Sequence, residues 1–298
     1  MLGQLKVGTD GIIQDKVEAS IERLRAFCPP EGYWVAFSGG KDSQCIYHLC
    51  KMAGVKFDAH YNVTSVDPPE LIRFIKNNYP DVVWEYPRYP DGTVCTMWNL
   101  IPRKQMPPTR YGRYCCEKFK ETAGKDRITV TGVRWAESAK RSANQGVAVL
   151  YGKQKTTEKL ANEMGVEYRV NNLGNVILND DNDDARRMVE HCYRTQKTMV
   201  NPIIDWDDDD VWEFLNENGI EHCCLYDQGY KRIGCIGCPM NHMTARSDLE
   251  KYPAYKRNYI KAFDKMIKNN RDRGVKMQEN WSDGEAVMQW WLREDNSD

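Results

Sequence analysis

The segment Ser38-Gly39-Gly40-Lys41-Asp42-Ser43 joins two stretches of different character. It follows the apolar run Tyr33–Phe37, which predicts a buried strand, and it precedes Gln44–Cys50, which predicts a helix. A small-residue turn in this setting directs successive backbone N–H groups to the start of a helix, where phosphate and pyrophosphate bind well. The spacing differs from the G-x-x-x-x-G-K-S/T pattern of the Walker loop, so ordinary ATPase or kinase chemistry is not implied. The segment therefore predicts a phosphate-binding strand–turn–helix unit.

Length and composition limit the class of protein. A chain of 298 residues, of which 41% are hydrophobic, can form one large domain or one domain with an appendage. The formal net charge of -1 gives no overall signature of a protein that binds nucleic acid or membranes. No stretch approaches the roughly 18 consecutive apolar residues of a membrane span. The first residues, Met1–Lys6, lack the apolar core of a secretory signal, so we expect a cytoplasmic protein without a membrane partner.

Strands and helices alternate along the first half of the chain. Lys56–Val63, Val82–Tyr86 and Arg127–Gly132 predict strands, and Asp67-Pro68-Pro69-Glu70 has the composition of a helix start. The alternation predicts an α/β fold, in which a parallel twisted sheet carries helices on both faces, with a C-terminal helical segment in addition. Ligands bind such sheets at the carboxyl ends of the strands, where the Ser38 loop, the Asp67 turn and the Gly132 turn are expected.

The chain divides into three parts in this interpretation. Residues 1–30 are a helical lead-in, residues 31–240 form the sheet domain and residues 241–298 form a basic helical segment. Residues 145–195 carry no chemical motif and are interpreted as an insertion or a helical excursion. Within them, Asp180–Asp184 is expected to be a solvated loop and helix start.

The C-terminal segment is basic from Arg246 to Lys276, with ten Lys or Arg residues and four Asp or Glu residues. The period of its apolar residues predicts an amphipathic helix. These residues are Tyr259, Ile260, Phe263, Met266 and Ile267. The basic face is either an ordinary solvated surface or the wall of a groove that binds a polyanion.

Eleven cysteines are unlike a disulfide framework if the protein lies in a reducing compartment. Cys45 and Cys50 fall on the predicted helix and are interpreted as buried apolar residues. Cys235-x-x-Cys238 lies in a glycine-rich turn and is compatible with half of a zinc site, a redox pair or half of a cluster site. Cys115-Cys116 is an adjacent pair, and both thiols reach one centre only with unusual local geometry.

Together these motifs resemble the phosphoadenosine phosphosulfate (PAPS) reductase family of PP-loop ATP pyrophosphatase-like proteins. The SGGxDS loop is similar to the PP-loop, and Cys-Cys followed by Cys-x-x-Cys is similar to the 4Fe–4S ligand pattern of adenylyl-sulfate reductases. Further similar segments are Thr131–Arg134 with Glu137, Ser138 and Arg141, and Asn201–Trp206, Asp210–Trp212, Leu225–Tyr230 and Ile233–Cys235. The resemblance covers about residues 30 to 240, apart from the middle segment, and implies an adenine nucleotide alpha hydrolase-like fold.

The resemblance implies nucleotide-binding, catalytic and cluster-binding roles for three sets of residues. The nucleotide, which is ATP with Mg²⁺ or adenylyl sulfate or PAPS, is expected at Ser38, Gly39, Gly40, Asp42, Ser43 and Gly132. The expected catalytic residues are Lys41, Asp42, Arg134 and Arg141, since arginine offers a planar donor fork to anions. The expected ligands of a 4Fe–4S cluster are Cys115, Cys116, Cys235 and Cys238. Arg110, Arg113, Lys231 and Arg232 either add positive charge near the cluster and the substrate or are surface residues.

The sequence departs from the reductases in one respect. Those enzymes use a nucleophilic cysteine in a C-terminal Glu-Cys-Gly-Leu-His-like motif, and this sequence has no cysteine after Cys238. We therefore expect an ATP-dependent enzyme that releases AMP and pyrophosphate while transferring sulfur, with a nucleic acid or a sulfur-donor protein as candidate partner and a homo-oligomer as candidate assembly. One alternative is a reductase whose nucleophile is Cys223, Cys224 or a partner's thiol. The other is a non-catalytic nucleotide-sensing module.

Overall fold

The computed structural model describes residues 5–7, 13–121, 124, 126–192 and 197–293. Ten strands are present in this part of the chain. They are β1 (Leu5–Val7), β2 (Ile13–Asp15), β3 (Tyr33–Ala36), β4 (Phe57–Asn62), β5 (Val83–Glu85), β6 (Thr129–Val130), β7 (Ala148–Tyr151), β8 (Arg169–Val170), β9 (Val176–Leu178) and β10 (Lys197–Val200).

The described α-helices number twelve. They are α1 (Lys16–Ala26), α2 (Lys41–Ala53), α3 (Pro69–Asn78), α4 (Met97–Lys104), α5 (Tyr114–Cys116), α6 (Ala139–Asn144), α7 (Gln154–Glu163), α8 (Asp183–Cys192), α9 (Asp208–Glu217), α10 (His242–Lys251), α11 (Pro253–Asp272) and α12 (Gly284–Arg293). Glu117–Glu121 continues α5 as a wider π-helical turn, and Trp135–Glu137 and Pro239–Asn241 form short 3₁₀ turns.

The described residues form two compact units. The first, called the sheet unit, comprises the described residues of Met1–Tyr61, Phe74–Val83 and Gly124–Cys224. The second, called the helical unit, comprises those of Asn62–Arg73, Trp84–Ala123 and Leu225–Asp298.

Eight strands form the main sheet in the order β5-β4-β3-β6-β10-β7-β9-β8, with helices on both sides. The pairs β4–β3, β3–β6 and β6–β10 are parallel, as the alternation of strands and helices predicts. Val35, Val130 and Val200 are partners across β3, β6 and β10, and all three are fully buried. Because these strands are parallel and in register, the residues that follow them leave the sheet at one edge.

The observed sheet differs from the predicted one in the segment 145–195. Its strands β7, β9 and β8 extend the sheet beyond β10, and each pairs antiparallel to its neighbour. The sheet is therefore mixed, with the parallel strands β4, β3, β6 and β10 on one side and the antiparallel strands β7, β9 and β8 on the other. The side chains of Val176–Leu178 are completely buried, so this segment contributes to the core. α8 begins at Asp183, in agreement with the helix start expected in Asp180–Asp184.

The lead-in over residues 1–30 is described in part, since residues 1–4 and 8–12 lie outside the described residues. β1 and β2 pair antiparallel there, and α1 follows with Asp15 as its N-cap. The Asp15 carboxylate accepts hydrogen bonds from the N–H groups of Val17 and Glu18, which would otherwise lack intrahelical partners.

The helical unit has its own core, in which α4, α11 and α12 pack together. The predicted amphipathic helix is observed as two helices, α10 and α11, because Pro253 starts a new helix at its first position. Tyr259, Phe263, Met266 and Ile267 form its buried face, as their spacing predicts. Among the described residues, the longer helices carry too many polar groups for any of them to cross a membrane.

Candidate functional site

The Ser38–Ser43 loop links β3 to α2 at the carboxyl edge of the sheet. Gly39 has φ of 74°, a left-handed conformation that side chains other than glycine rarely adopt. Gly40 is the N-cap of α2, and no side chain caps this helix end. The first N–H groups of α2 are thus not used by a capping side chain, as a phosphate-binding helix terminus requires.

The two serines of the loop support this turn. The Ser43 hydroxyl donates to the Gly40 carbonyl at 2.8 Å, and the Ser38 hydroxyl lies 3.2 Å from Ser43 Oγ. These contacts hold the loop closed upon the first turn of the helix. Ser38, Gly39, Gly40 and Ser43 are accordingly brought together, as expected, although their role in nucleotide binding stays a prediction.

Lys41 and Arg134 lie at the same helix terminus, although 93 positions separate them. Both side chains are almost completely buried, with exposed fractions of 5% and 4%. Lys41 Nζ lies 2.8 Å from Asp208 Oδ1 and 3.4 Å from Asp42 Oδ1. Arg134 donates from Nε to Asp42 Oδ1 at 2.7 Å and from Nη2 to Asp208 Oδ1 at 2.6 Å. Two cations and two carboxylates therefore form one closed network.

Asp208 is the member of this network that the sequence did not reveal. In the sequence, the run Asp207–Asp210 indicates only negative charge at the first turn of a helix, where the helix dipole favours it, and Asp207 is indeed the N-cap of α9. Only the arrangement of the strands shows that Asp208 reaches Lys41 and Arg134. Burial alone would raise the pKa of Asp208, but hydrogen bonds from Lys41 and Arg134 outweigh burial and lower this pKa below 3.8.

In Arg134, burial and the charges of its partners act on the pKa in the opposite directions to those in Asp208. Burial disfavours the charged guanidinium, while the charges of Asp42 and Asp208 favour it more strongly and raise the pKa. Arg134 also donates from Nη1 to the carbonyl of Trp206 at 3.3 Å. The guanidinium is therefore permanently charged and held by partners on two sides.

Gly132 lies where the β6 turn approaches α2. A Cβ atom at this position would lie 2.9 Å from the carbonyl oxygen of Asp42 and 3.1 Å from its Cβ. The absence of a side chain thus permits the backbone contact that brings Arg134 to the helix terminus. Gly132 contributes to the site by this close approach.

Arg141 belongs to the outer part of the site. Its Nε lies 3.3 Å from Glu137 Oε2, and Glu137 Oε1 accepts a hydrogen bond from the backbone N–H of Arg134 at 3.1 Å. Glu137 therefore links Arg141 to the backbone of Arg134. The Arg141 side chain is one-third exposed, unlike that of Arg134.

The four predicted cluster ligands all lie in the helical unit. Cys115 and Cys116 begin the helical turn that continues through Glu121, while Cys235 and Cys238 flank a turn held by two hydrogen bonds to Ile236. The Ile236 N–H donates to the Val66 carbonyl at 2.8 Å, and the Tyr259 hydroxyl donates to the Ile236 carbonyl at 3.1 Å. The structure thereby brings together two cysteine pairs that are about 120 residues apart in the sequence.

The thiols lie close enough to influence one another's pKa. The hydrogen bond between Cys115 and Cys116 raises the pKa of Cys115 and lowers that of Cys116. The charges of Cys235 and Cys238 raise the pKa of Cys115 further. Burial raises the pKa of Cys235 to about 12, against the opposing effect of Lys120.

Lys120 is a second residue that the sequence analysis missed. Its Nζ lies 3.8 Å from Cys235 Sγ, and the negative charge of Cys235 raises the pKa of Lys120. Cys235 Sγ also lies 3.8 Å from Thr64 Oγ1. The position of Lys120, four residues after Cys116 in a helical segment, was the available signal, because such residues share a helix face.

The four cysteines are of the residue type that binds iron–sulfur clusters, and their role as cluster ligands stays a prediction. Within the described part of the chain, no three His, Cys, Asp or Glu side chains are grouped closely enough to surround one metal ion. A 4Fe–4S cluster is larger, and its cysteines bind different iron atoms. Cys223 and Cys224, the alternative pair, occupy different environments, since Cys223 is buried and Cys224 is exposed.

Comparison with known proteins decides the family. A model of the phosphoadenosine phosphosulfate reductase domain matches residues 32–241, which is more than half of the chain. The chain belongs to the PAPS reductase family. The match includes the nucleotide loop, Arg134, Asp208 and all four cysteines.

The individual relatives of this PAPS reductase family member match it over only part of their own length. An uncharacterized protein of Methanocaldococcus jannaschii is 47% identical over 241 residues, which cover 76% of this chain and 46% of that protein. An adenosine 5'-phosphosulfate reductase of Oceanobacillus iheyensis is 44% identical over 45 residues, which cover 15% of this chain and 19% of that enzyme. The chain thus spans less than half the length of these two curated relatives.

Among solved structures, a PAPS reductase from Candida auris in a phosphate complex has a TM-score of 0.44 and 14% identity. The similarity covers 78% of this chain and 98% of that one. An FMN adenylyltransferase of Candida glabrata with FAD and pyrophosphate has a TM-score of 0.40 and 13% identity. This similarity covers 74% of this chain and 64% of that one.

Replacing Gly132 by Ala tests the close approach at the β6 turn. The added Cβ would meet the Asp42 backbone at 2.9 Å, so the strand end or α2 has to shift. We expect a loss of about 1–3 kcal/mol in the free energy of unfolding, measured by urea denaturation. Gly234→Ala is the matched control, because nothing lies within 4 Å of its added Cβ. Equal stabilities of the two variants would contradict the close approach.

Replacing Asp208 by Asn tests the ion-pair network through its pH dependence. Because the pKa of Asp208 is lowered on folding, its stabilising effect is present above pH 3.8 and is lost as the pH falls through the folded-state value. Since Asp208 is two-thirds exposed, we expect a loss of about 1 kcal/mol at pH 7 and a smaller difference from the wild type near pH 3. Urea denaturation at both pH values measures this. A difference that does not change with pH would show that the Asp208 charge is not involved.

Proposed function

We propose that this protein is an iron–sulfur enzyme that cleaves ATP between its α and β phosphates and uses the adenylated intermediate for sulfur transfer. An oxygen of the acceptor attacks the α-phosphorus, and pyrophosphate leaves. A sulfur nucleophile then displaces AMP from the activated acceptor. The acceptor gains sulfur, and the products are AMP and pyrophosphate.

The observation that carries this proposal is the presence of two carboxylates, Asp42 and Asp208, at a helix terminus suited to phosphate. Mg²⁺ is commonly bound by one or two carboxylates together with phosphate oxygens of a nucleotide. The network as a whole carries no net charge, since Lys41 and Arg134 balance the two carboxylates. The carboxylate oxygens are therefore the reason to favour a nucleotide that binds together with Mg²⁺, as a triphosphate does.

The two buried cations, Lys41 and Arg134, also support this proposal. Lys41 and Arg134 are held at the terminus of α2 by Asp42 and Asp208 before any nucleotide binds. Cations positioned in advance stabilise negative charge as it develops on a leaving pyrophosphate. Arg134 offers a planar donor fork, while Lys41 acts as a point charge. Arg141, linked to Arg134 through Glu137, is proposed to bind the outer phosphates.

Cys115, Cys116, Cys235 and Cys238 are proposed to hold a 4Fe–4S cluster. With four cysteine ligands the cluster would supply an electrostatic and structural element. Lys120 is the residue of this chain whose charge would offset the negative charge of the thiolates, since its Nζ already lies 3.8 Å from Cys235 Sγ.

Reduction of adenylyl sulfate is the second candidate function. Short matches to adenosine 5'-phosphosulfate reductases support it, such as the 45 residues shared with the Oceanobacillus iheyensis enzyme. This reaction needs a thiol that attacks the sulfate sulfur. Cys224, which is exposed, is the candidate in the described part of the chain, whereas its neighbour Cys223 is buried.

An assay of both nucleotides distinguishes these reactions. Purified protein with ATP and Mg²⁺ is expected to release AMP and pyrophosphate, with water in place of the acceptor oxygen as the nucleophile, and adenylyl sulfate with thioredoxin is expected to release no sulfite. Lys41→Ala should lower kcat/KM for pyrophosphate release by about 100-fold, because it removes a donor to the leaving group. Lys51→Ala is the matched control, since Lys51 lies exposed on the same helix, and it should leave the rate unchanged. Sulfite release without pyrophosphate release would establish the second candidate instead.

Metal analysis of anaerobically purified protein tests the cluster. We expect iron and acid-labile sulfide in equal amounts, together with the broad visible absorbance of a 4Fe–4S centre. Cys235→Ser should abolish this absorbance, while Cys45→Ser and Cys224→Ser should retain it. Zinc in place of iron, or loss of absorbance in Cys224→Ser, would contradict the proposed ligands.

A further inference from the structure

A basic cavity of about 610 Å³ lies between α4 and α11 in the helical unit. Its polar lining consists of Arg103, Lys265, Arg273, Asn99, Asn269 and Thr93. None of the described residues that line it carries a carboxylate. Asp91 pairs with Arg103 at 3.6 Å, but both side chains are about half exposed, so this pair is weak. In a chain with a net charge of -1, three cations around one cavity mark a local site for an anion.

Arg103 is held in a defined orientation at this cavity. Its guanidinium carbon lies 3.7 Å from the centre of the Tyr89 ring, on which it stacks. The Tyr89 hydroxyl lies 3.2 Å from Asn99 Oδ1, and this oxygen also accepts the backbone N–H of Thr96 at 3.0 Å. The arginine therefore rests on a ring that is itself fixed to the start of α4, and less side-chain entropy is lost when it binds an anion.

The positive charge continues from the cavity toward the cysteines. Lys118 Nζ lies over the same Tyr89 ring, at 5.4 Å from its centre. Lys118 belongs to the helical turn that follows Cys115 and Cys116, and Lys120, two residues later, contacts Cys235. Cations thus lie both beside the cavity and beside the cysteine pairs, and one helical segment carries two of them. Positive charge at two places in one unit suits an extended polyanion better than a small anion.

A fully exposed aromatic ring lies in the same unit. Tyr111 has a relative exposure of 100% and stands between Arg110 and Arg113. The turn that carries it is held by hydrogen bonds between Thr109 and Gly112, in which the Gly112 N–H donates to Thr109 Oγ1 at 2.9 Å. Trp291 Nε1 donates to the Pro108 carbonyl at 2.6 Å and fixes the base of the turn. An exposed ring on an anchored turn, flanked by arginines, is suited to stacking on an unpaired base.

The helix dipole accounts for only part of this arrangement. Arg103 and Arg273 lie at the carboxyl ends of α4 and α11, where cations are favourable in any protein. Lys265 lies two turns before the end of α11, and Tyr111 lies on no helix. The dipole also does not explain the stacking of two cations on Tyr89.

The geometry points to a binding site for single-stranded nucleic acid in the helical unit. Phosphates of the strand bind at Arg103, Lys265 and Arg273, Tyr111 stacks on a base, and the Lys118 side leads the strand toward the cysteines. The strand is then the acceptor of the sulfur. This last statement rests on the proposed function, whereas binding of the strand does not require ATP hydrolysis.

Fluorescence anisotropy with labelled single-stranded RNA and DNA of the same sequence tests the site in the full chain. We expect Lys265→Gln/Arg273→Gln to weaken binding at least tenfold at about 0.1 M salt. It should also lower the slope of log Kd against log salt by about 1.4, because two phosphate contacts are lost. The matched control is Lys159→Gln/Arg187→Gln, which removes one lysine and one arginine from exposed positions of the sheet unit and should bind as the wild type does. Equal binding by both double variants would overturn the site.

Tyr111 gives an independent test, because its side chain is exposed and its replacement should not affect folding. Tyr111→Ala should weaken binding of the strand about tenfold, while Tyr111→Phe should retain the wild-type affinity, since stacking requires only the ring. Equal affinity of Tyr111→Ala and Tyr111→Phe would exclude stacking at this position. The RNA and DNA arms identify which polynucleotide binds more tightly.

Three further outcomes distinguish a nucleic-acid site from its alternatives. Polyglutamate that competes as well as the oligonucleotide would show a site for acidic proteins and would overturn the assignment to nucleic acid. Pyrophosphate release measured without the strand should persist in Lys265→Gln/Arg273→Gln, while any stimulation of it by the strand should be lost together with strand binding, and this result would support both proposals. Pyrophosphate release in the wild type together with no binding of either strand would overturn this inference alone.

Discussion

The ion-pair network of Lys41, Arg134, Asp42 and Asp208 joins the ends of three neighbouring parallel strands. Both cations are almost completely buried, and a buried cation without a partner would be strongly destabilising. The two carboxylates remove this cost, and they also fix the loop after β3, the turn after β6 and the start of α9 at one place. The start of α2 is therefore fixed at the carboxyl edge of the sheet, and the same carboxylates are the ones assigned to Mg²⁺ in the proposed reaction.

In the helical unit, one short segment likewise makes several of the contacts around the cysteines. Two lysines lie in the helical segment that follows Cys115 and Cys116. Lys120 contacts Cys235, and Lys118 lies over the ring of Tyr89. Arg103 stacks on the same ring and lines the basic cavity. One short segment thus connects the proposed cluster site with the surface that is suited to a polyanion. The basic composition of Arg246–Lys276 left two interpretations open, and the proposed strand-binding site at the cavity beside Lys265 corresponds to the groove.

Much of the sheet unit could be predicted because its signals are local. The apolar run before Ser38, the glycines of the loop and the alternation of strands and helices all act over a few residues. The strands β7, β8 and β9 could not be predicted, because they carry no chemical motif and β8 and β9 have only two and three residues. Their pairing is antiparallel, and they join the sheet through the pairing of β7 with β10, which the chain reaches only later. Short strands of this kind are defined by the neighbours they pair with.

The sequence by itself determined the strand–turn–helix unit around Ser38–Ser43, the family and the two cysteine pairs, since each depends on residue types at short, fixed spacings. Only the tertiary structure decided that Asp208 is the partner of Lys41 and Arg134, and that Lys120 is the cation beside Cys235. The physical reason is distance along the chain. Lys41 and Asp208 are separated by 167 positions, and Lys120 and Cys235 by 115, so no local pattern relates them. Their pairing exists only once the strands and helices that carry them have packed.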